Sequence, residues 1–73
     1  MRITIEMQGP LQRYNKGGQP RAELDLEDDL TVHELLVSLG MDMDAPWNAA
    51  LNGTLARASD KVSDGALLLV FPP

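Results

Sequence analysis

Few residues in this chain have both the chemistry and the spacing that a metal or catalytic site requires. His33 is the only histidine and cysteine is absent, so the usual ligand sets of a zinc site are not available. Asp42 and Asp44 are spaced like the first ligands of a calcium loop. The later positions need an oxygen ligand and a glycine, but Pro46 and Trp47 stand there. The sequence therefore predicts no metal site and no cofactor, and we expect His33 to face solvent on a helix.

Two glycine-containing motifs have a simpler structural interpretation. Lys16-Gly17-Gly18 is similar to part of a phosphate-binding loop, but it lacks the full spacing and no helix follows it. Asn52-Gly53-Thr54 matches the N-glycosylation sequon, but Asn-Gly is also the strongest two-residue hairpin signal, and no secretory signal precedes it. We therefore predict a flexible loop at the first motif and a tight turn at the second.

Acidic residues are concentrated in one segment, which carries Glu23, Asp25, Glu27, Asp28 and Asp29. Neighbouring carboxylates can perform acid–base chemistry only where a pocket shifts their pKa values, and a chain of 73 residues has little room for one. We favour a solvated strand face and a helix start for this segment over a docking site. Together, the motifs contain no constellation that supports catalysis, so the chain itself is predicted not to be an enzyme.

Charge and composition narrow the class of protein further. The chain has 6 Lys+Arg and 11 Asp+Glu, a formal net charge of −5, which argues against nucleic acid or an anionic membrane as a partner. The first residues alternate charged and apolar side chains, unlike a signal peptide, and no apolar run approaches the roughly 20 residues of a membrane helix. We expect a soluble, cytoplasmic protein with one domain over residues 1–73.

Alternating apolar and polar residues predict two strands near the start of the chain, over residues 2–8 and 21–27. Gly9-Pro10 breaks the first strand, and the polar residues 11–20 are predicted to form the loop of a wide hairpin. A helix is predicted to follow, because Thr31-Val32-His33-Glu34 fits a capping box. Its apolar stripe comprises Val32, Leu35, Leu36 and Leu39, and Gly40 is expected to end it.

The second half of the chain predicts three further strands. Residues 49–51 and 54–56 flank the Asn52-Gly53 turn, and Trp47 before them is interpreted as a core residue. The last strand, residues 66–71, is apolar on both faces, which is typical of a central strand or of one that exposes a face to a partner. The pattern alone does not determine which of its faces meets the helix.

This order of elements predicts an α+β, β-grasp (ubiquitin-like) fold with a mixed sheet of four to five strands. The first and last strands would pair in parallel at the centre, since the chain between them is long enough for the crossover that a parallel pair requires. The helix would pack across one face of the sheet. A ferredoxin-like fold would need a second helix, and residues 41–65 contain no good candidate.

Four segments, spread over essentially the whole chain, carry a resemblance to a known family. They are MQGPLQRY (Met7–Tyr14), LTVHELLVSLG (Leu30–Gly40), ALNG (Ala50–Gly53) and VSDGALLLVFPP (Val62–Pro73). In this order they resemble the strand, helix, hairpin and closing strand of the small ubiquitin-like sulfur carriers. This MoaD/ThiS family includes the small subunit of molybdopterin synthase and the thiamin sulfur carrier.

The resemblance implies a carrier that acts through a flexible tail after its last strand. In this family the tail ends in Gly-Gly, and its terminal carboxylate is adenylated and then converted to a sulfur-donating thiocarboxylate. Glycine suits a tail that enters a narrow channel because it has no side chain. The implied partners are an adenylating (E1-like) enzyme and a larger synthase subunit or metalloenzyme of pterin (molybdenum or tungsten) cofactor or thiamin biosynthesis.

The sequence departs from the family pattern near its end. Pro72-Pro73 stand where the tail would begin, Ala66 replaces an acidic residue, and the internal Gly17-Gly18 cannot substitute for a terminal glycine. One hypothesis is a sulfur carrier whose tail is missing from this sequence. The alternative is a β-grasp interaction module or subunit that has lost carrier chemistry. An unrelated small α+β domain ranks last.

Both leading hypotheses place the partner-binding site at the last strand and its exit. The residues expected at the partner surface are Leu68, Val70, Phe71, Pro72 and Pro73. The apolar run would supply the contact area, and the two prolines would end the strand and stiffen the segment that follows.

Overall fold

The computed structural model describes residues 1–73, which form one mixed β-sheet with one main helix across it. The elements are β1 (Arg2–Met7), β2 (Arg21–Asp25), α1 (Val32–Ser38), β3 (Asn48–Leu51), β4 (Thr54–Ala56) and β5 (Leu67–Phe71). The sheet order is β2-β1-β5-β3-β4, in which β1 and β5 are parallel and the other neighbours are antiparallel. This topology confirms the predicted β-grasp fold.

The hydrophobic core lies between α1 and one face of the sheet. The buried residues alternate along β1, as the sequence pattern predicted, at Ile3, Ile5 and Met7. From β5, Leu68 and Val70 enter the same core. The even-numbered side chains of β5 therefore face the helix, and its odd-numbered side chains face the opposite side of the sheet.

Helix α1 begins with the predicted capping box. The Thr31 hydroxyl accepts the Glu34 backbone N–H at 3.0 Å, and the Glu34 carboxylate accepts the Thr31 backbone N–H at 3.0 Å. Gly40, with φ +83°, follows the helix and turns the chain away. Neither α1, with seven residues, nor any other helix is long and apolar enough to cross a membrane.

The connection from β1 to β2 is more ordered than the predicted polar loop. It contains two 3-10 segments, Gly9–Tyr14 and Lys16–Gly18, with Asn15 between them. Asn15 is only 4% exposed, and its side-chain amide donates to the carbonyls of Ile5 and Pro20, each at 3.3 Å. Because asparagine is common in any turn, the sequence pattern could not identify it as the polar anchor of this connection.

The two central strands are aligned at their starts by Asp64 and Gly65. The Asp64 carboxylate accepts the Arg2 backbone N–H at 2.7 Å, and the Gly65 N–H donates to the Arg2 carbonyl at 2.7 Å. Gly65 has φ +80°, a conformation that favours glycine. The Asp-Gly pair therefore brings β5 into register beside β1.

Candidate docking surface

The face of the sheet opposite α1 is the candidate functional site. Strand register identifies the side chains that share it, since residues opposite each other in neighbouring strands point to the same side. Leu69 of β5 lies opposite Ala50 of β3, and Ala50 lies opposite Leu55 of β4. With the other odd-numbered residues of β5, these form what we call the outer patch: Ala50, Leu55, Leu67, Leu69 and Phe71.

The outer patch exposes apolar surface that the fold itself does not cover. Leu55 is 74% exposed and Leu67 is 39% exposed. Leu69 and Phe71 are half-buried, but they are not part of the hydrophobic core or of the residues packed against it. A contiguous exposed apolar area on a small domain is typical of a protein–protein interaction site.

The Asn52-Gly53 turn positions Leu55 within this patch. Both turn residues have positive φ, +51° and +84°, as a tight two-residue hairpin requires. Asn52 also bonds to β5, because its backbone N–H donates to the Leu67 carbonyl at 2.9 Å and its side-chain oxygen accepts the Leu67 N–H at 2.8 Å. The hairpin is thereby held in the plane of the sheet, with Leu55 on the outer face.

The structure corrects two of the expected partner-binding residues. Leu68 and Val70 are fully buried against α1, so their side chains do not lie at the surface. Phe71 is half-buried on the outer face, and Pro72 and Pro73 are exposed. The error arose because a strand that is apolar on both faces gives no sequence signal of which face the helix covers.

Four residues of the outer patch were not predicted as site residues from the sequence: Ala50, Leu55, Leu67 and Leu69. Leu67 and Leu69 point to the same face of β5 as Phe71, because alternate residues of a strand share a face. Both would have been identified if it had been known which face of β5 the helix covers. Leu55 could have been found by extending the register through the Asn52-Gly53 turn from Ala50. The sequence pattern does not show that β3 pairs with β5 in the sheet, and this pairing brings Leu55 into the patch.

The exit of β5 is held against the segment that follows β1. The Gln8 N–H donates to the Val70 carbonyl at 3.0 Å, which extends the parallel ladder by one step. Beyond it, Pro72 lies beside Gly9, whose φ is +56°, and a Cβ built on Gly9 would sit 3.8 Å from the Pro72 ring. The chain therefore leaves the sheet next to the outer patch along a defined path.

The β1–β2 half of the outer face is charged. Arg21 lies 3.8 Å from Glu6, and Arg2 lies 3.3 Å from Asp25. Glu23 stands between these pairs, opposite Thr4. The strand part of the acidic segment is thus a solvated face, as we favoured from the sequence.

Other side chains with possible chemistry do not assemble into a site. His33 is exposed on α1, as expected, and Trp47 packs against the core. Hydrogen bonds from Thr31, first its backbone N–H and then its side chain, lower the pKa of Glu34, and Lys61 adds to this effect. No pocket is present, and no three acidic or histidine side chains are grouped as metal ligands would be. The exposed apolar outer patch is the feature of this chain that is suited to binding another protein.

The fold and this surface define a ubiquitin-like β-grasp domain with an exposed sheet face. No protein-family model and no curated protein matches the sequence. Its fold is similar to SAMP1, small archaeal modifier protein 1, from Haloferax volcanii, with a TM-score of 0.78, 21% identity, and coverage of 100% of this chain and 96% of that chain. At this identity the likeness establishes the fold.

Two further solved structures with a similar fold are both named as parts of a molybdopterin-converting factor. Subunit 1 of a molybdopterin converting factor from Pyrococcus furiosus matches with a TM-score of 0.78 and 21% identity, over 99% of this chain and 97% of that chain. A complex of subunits 1 and 2 of the molybdopterin-converting factor from Helicobacter pylori matches with a TM-score of 0.65 and 19% identity, over 100% and 95%. This chain has the fold of these structures.

Proposed function

We propose that this chain is a ubiquitin-like protein of the sulfur-carrier type, acting in pterin (molybdenum or tungsten) cofactor or thiamin biosynthesis. It would bind a larger protein partner and donate sulfur through a C-terminal tail that follows Pro73 in the native protein. The chain itself would be no enzyme, since adenylation and sulfur transfer would be performed by its partners.

One observation carries the proposal: an exposed apolar sheet face lies next to the exit of the last strand in a β-grasp domain. A partner seated on Leu69 and Phe71 would stand directly beside the path taken by Pro72. A tail leaving at that point could enter the active site of the same partner. The rings of Pro72 and Pro73 restrict the backbone and would limit the direction of entry, and only the residues after them would need to be flexible.

The fold neighbours support a pterin pathway over a thiamin pathway. Two of them are named as subunits of a molybdopterin-converting factor, and one is seen together with subunit 2. We therefore propose a larger synthase subunit as the partner at the outer patch. An adenylating, E1-like enzyme would be a second partner that acts on the same tail at a different step.

A β-grasp interaction module without carrier chemistry is the second candidate. The exposed apolar residues of the outer patch are compatible with it, because they could bind a partner without a transferable tail. Such a module would use the same outer patch as a permanent subunit interface. It would form a stable complex without any need for ATP or sulfur.

Immunoprecipitation of the native protein from its own organism, with cross-linking and mass spectrometry, tests the proposal. We expect a larger molybdopterin-synthase-type subunit, an adenylating enzyme, or both, in amounts comparable to the chain. A single stable partner with no role in sulfur transfer or cofactor synthesis would instead favour the interaction module. Recovery of neither kind of partner would contradict both forms of the proposal.

A further inference from the structure

Glu6 is the one carboxylate that borders the outer patch within the sheet. It lies directly opposite Leu69 in the parallel pairing of β1 with β5. Its side chain is 35% exposed, so part of it is already covered by its neighbours. A partner that covers Leu69 must therefore also cover Glu6 or approach it closely.

The cation available within the chain is poorly placed to neutralise Glu6. Arg21 approaches the carboxylate only to 3.8 Å, is 62% exposed, and stands on β2, on the side of Glu6 away from the patch. An exposed ion pair with this geometry contributes little. When a partner removes water from the patch side of Glu6, the carboxylate loses hydration that Arg21 does not replace, and covering a charge without a counter-charge is costly.

We infer that Glu6 sets the charge specificity of the docking surface, and that the partner places an arginine or lysine beside its apolar contact residues. This inference rests on the proposed function for the identity of the natural partner, a larger protein subunit. The need for a cation in the partner does not depend on that identity, because any protein that covers Leu69 also meets the Glu6 carboxylate. Glu6 would also disfavour partners whose surface is apolar alone, because they would cover its carboxylate without supplying a counter-charge.

The test compares Glu6→Gln with Glu23→Gln. Both variants remove one negative charge from the same face of the sheet, but Glu23 lies on β2, separated from β5 by β1. Glutamine keeps the shape of glutamate, so both variants should fold, which circular dichroism verifies. Isothermal titration against the larger synthase subunit, repeated over a salt series, then isolates the effect of the charge next to the patch.

We expect Glu6→Gln to weaken binding by about tenfold or more and to flatten its salt dependence, because the cation of the partner loses its counter-charge. Glu23→Gln should change affinity by no more than about twofold. Unchanged or tighter binding of Glu6→Gln would overturn the inference, since an apolar partner surface would gain from removal of the charge. Equal weakening by Arg21→Gln, with no further loss in the double variant, would assign the effect to Arg21 and also overturn it.

A second probe separates this inference from the proposed function. Binders are selected from a random display library against the native chain, and those that lose binding to Leu55→Asp are kept because they cover the outer patch. Enrichment of arginine or lysine beside apolar residues, and loss of binding to Glu6→Gln, would support the inference even if no synthase subunit bound. Patch binders without such enrichment that tolerate Glu6→Gln would contradict it while leaving the proposed function standing.

Discussion

The side-chain oxygen of Asn52 accepts a hydrogen bond from the backbone N–H of Leu67 at 2.8 Å, which joins the β3–β4 turn to the first residue of β5. The backbone N–H of Asn52 returns a bond to the Leu67 carbonyl at 2.9 Å. One residue thus has two roles, because it forms the turn with positive φ and extends the ladder to the central strand. The apolar face shared by Leu55 and Leu69 depends on this link.

Substitution at Asn52 should separate these two roles. Asn52→Ala loses the side-chain bond and places a residue that disfavours positive φ in the turn, so we expect a loss of about 2 kcal/mol in the free energy of unfolding. Asn52→Gly loses the bond but accepts the φ, and should cost about 1 kcal/mol. Urea denaturation measures both, and equal stability of the two variants would show that the turn conformation is unimportant.

The two faces of β5 can be tested with neighbouring leucines. Leu68→Ala removes a fully buried side chain and should lower the free energy of unfolding by about 2–5 kcal/mol. Leu69→Ala, on the half-buried outer face, should cost about 1 kcal/mol or less. The shift in the denaturation midpoint of each variant reports the difference. A larger loss at Leu69 than at Leu68 would reverse our assignment of the faces.

The capping box predicts that the free energy of unfolding depends on pH. The pKa of Glu34 is lowered in the folded chain, chiefly by the hydrogen bond from the Thr31 backbone N–H, so the charged carboxylate favours folding. Its contribution is complete above the pKa of an unfolded glutamate and is lost as the pH falls through the lowered folded value. The stability difference between the native chain and Glu34→Gln should therefore shrink over that window. A difference that does not change with pH would contradict this account.

The outer patch should be needed for partner binding. Leu55→Asp places a charge on its most exposed residue and should weaken binding of the larger subunit by at least about 2 kcal/mol, with Phe71→Asp acting in the same direction. The matched control is Val37→Asp, which changes an aliphatic side chain that is 49% exposed on α1. Affinity measurements on the folded variants test whether the outer patch is the interface. Equal losses at Leu55 and Val37 would mean that the outer patch is not the interface.

Most of the fold could be predicted because local signals and long-range order agreed. The capping box at Thr31 and Glu34, the alternation of β1 and the Asn52-Gly53 turn each had a physical cause within a few residues. The central parallel pair followed from the length of the crossover between β1 and β5. These features were sufficient to predict the β-grasp arrangement without knowledge of any contact between side chains.

The candidate site could be predicted only in outline, since it depends on which strands are neighbours. Leu67 to Phe71 is apolar throughout, and only the packing of Leu68 and Val70 against α1 distinguishes its two faces. Leu55 joins the site through a pairing across Ala50 that no local pattern records. Asn15 was missed for a similar reason, because its side-chain amide bonds to the carbonyls of Ile5 and Pro20, and no local pattern records these bonds.

The intact mass of the native protein, purified from its own organism, tests the central claim most directly. A working sulfur carrier predicts a mass above that of Met1 to Pro73 by a few small residues ending in Gly-Gly. It also predicts that a fraction of the molecules is heavier by one exchange of oxygen for sulfur, the signature of a thiocarboxylate. A mass that corresponds to an end at Pro73, without any sulfur-bearing fraction, would contradict carrier function and leave the outer patch as the interface of a binding module.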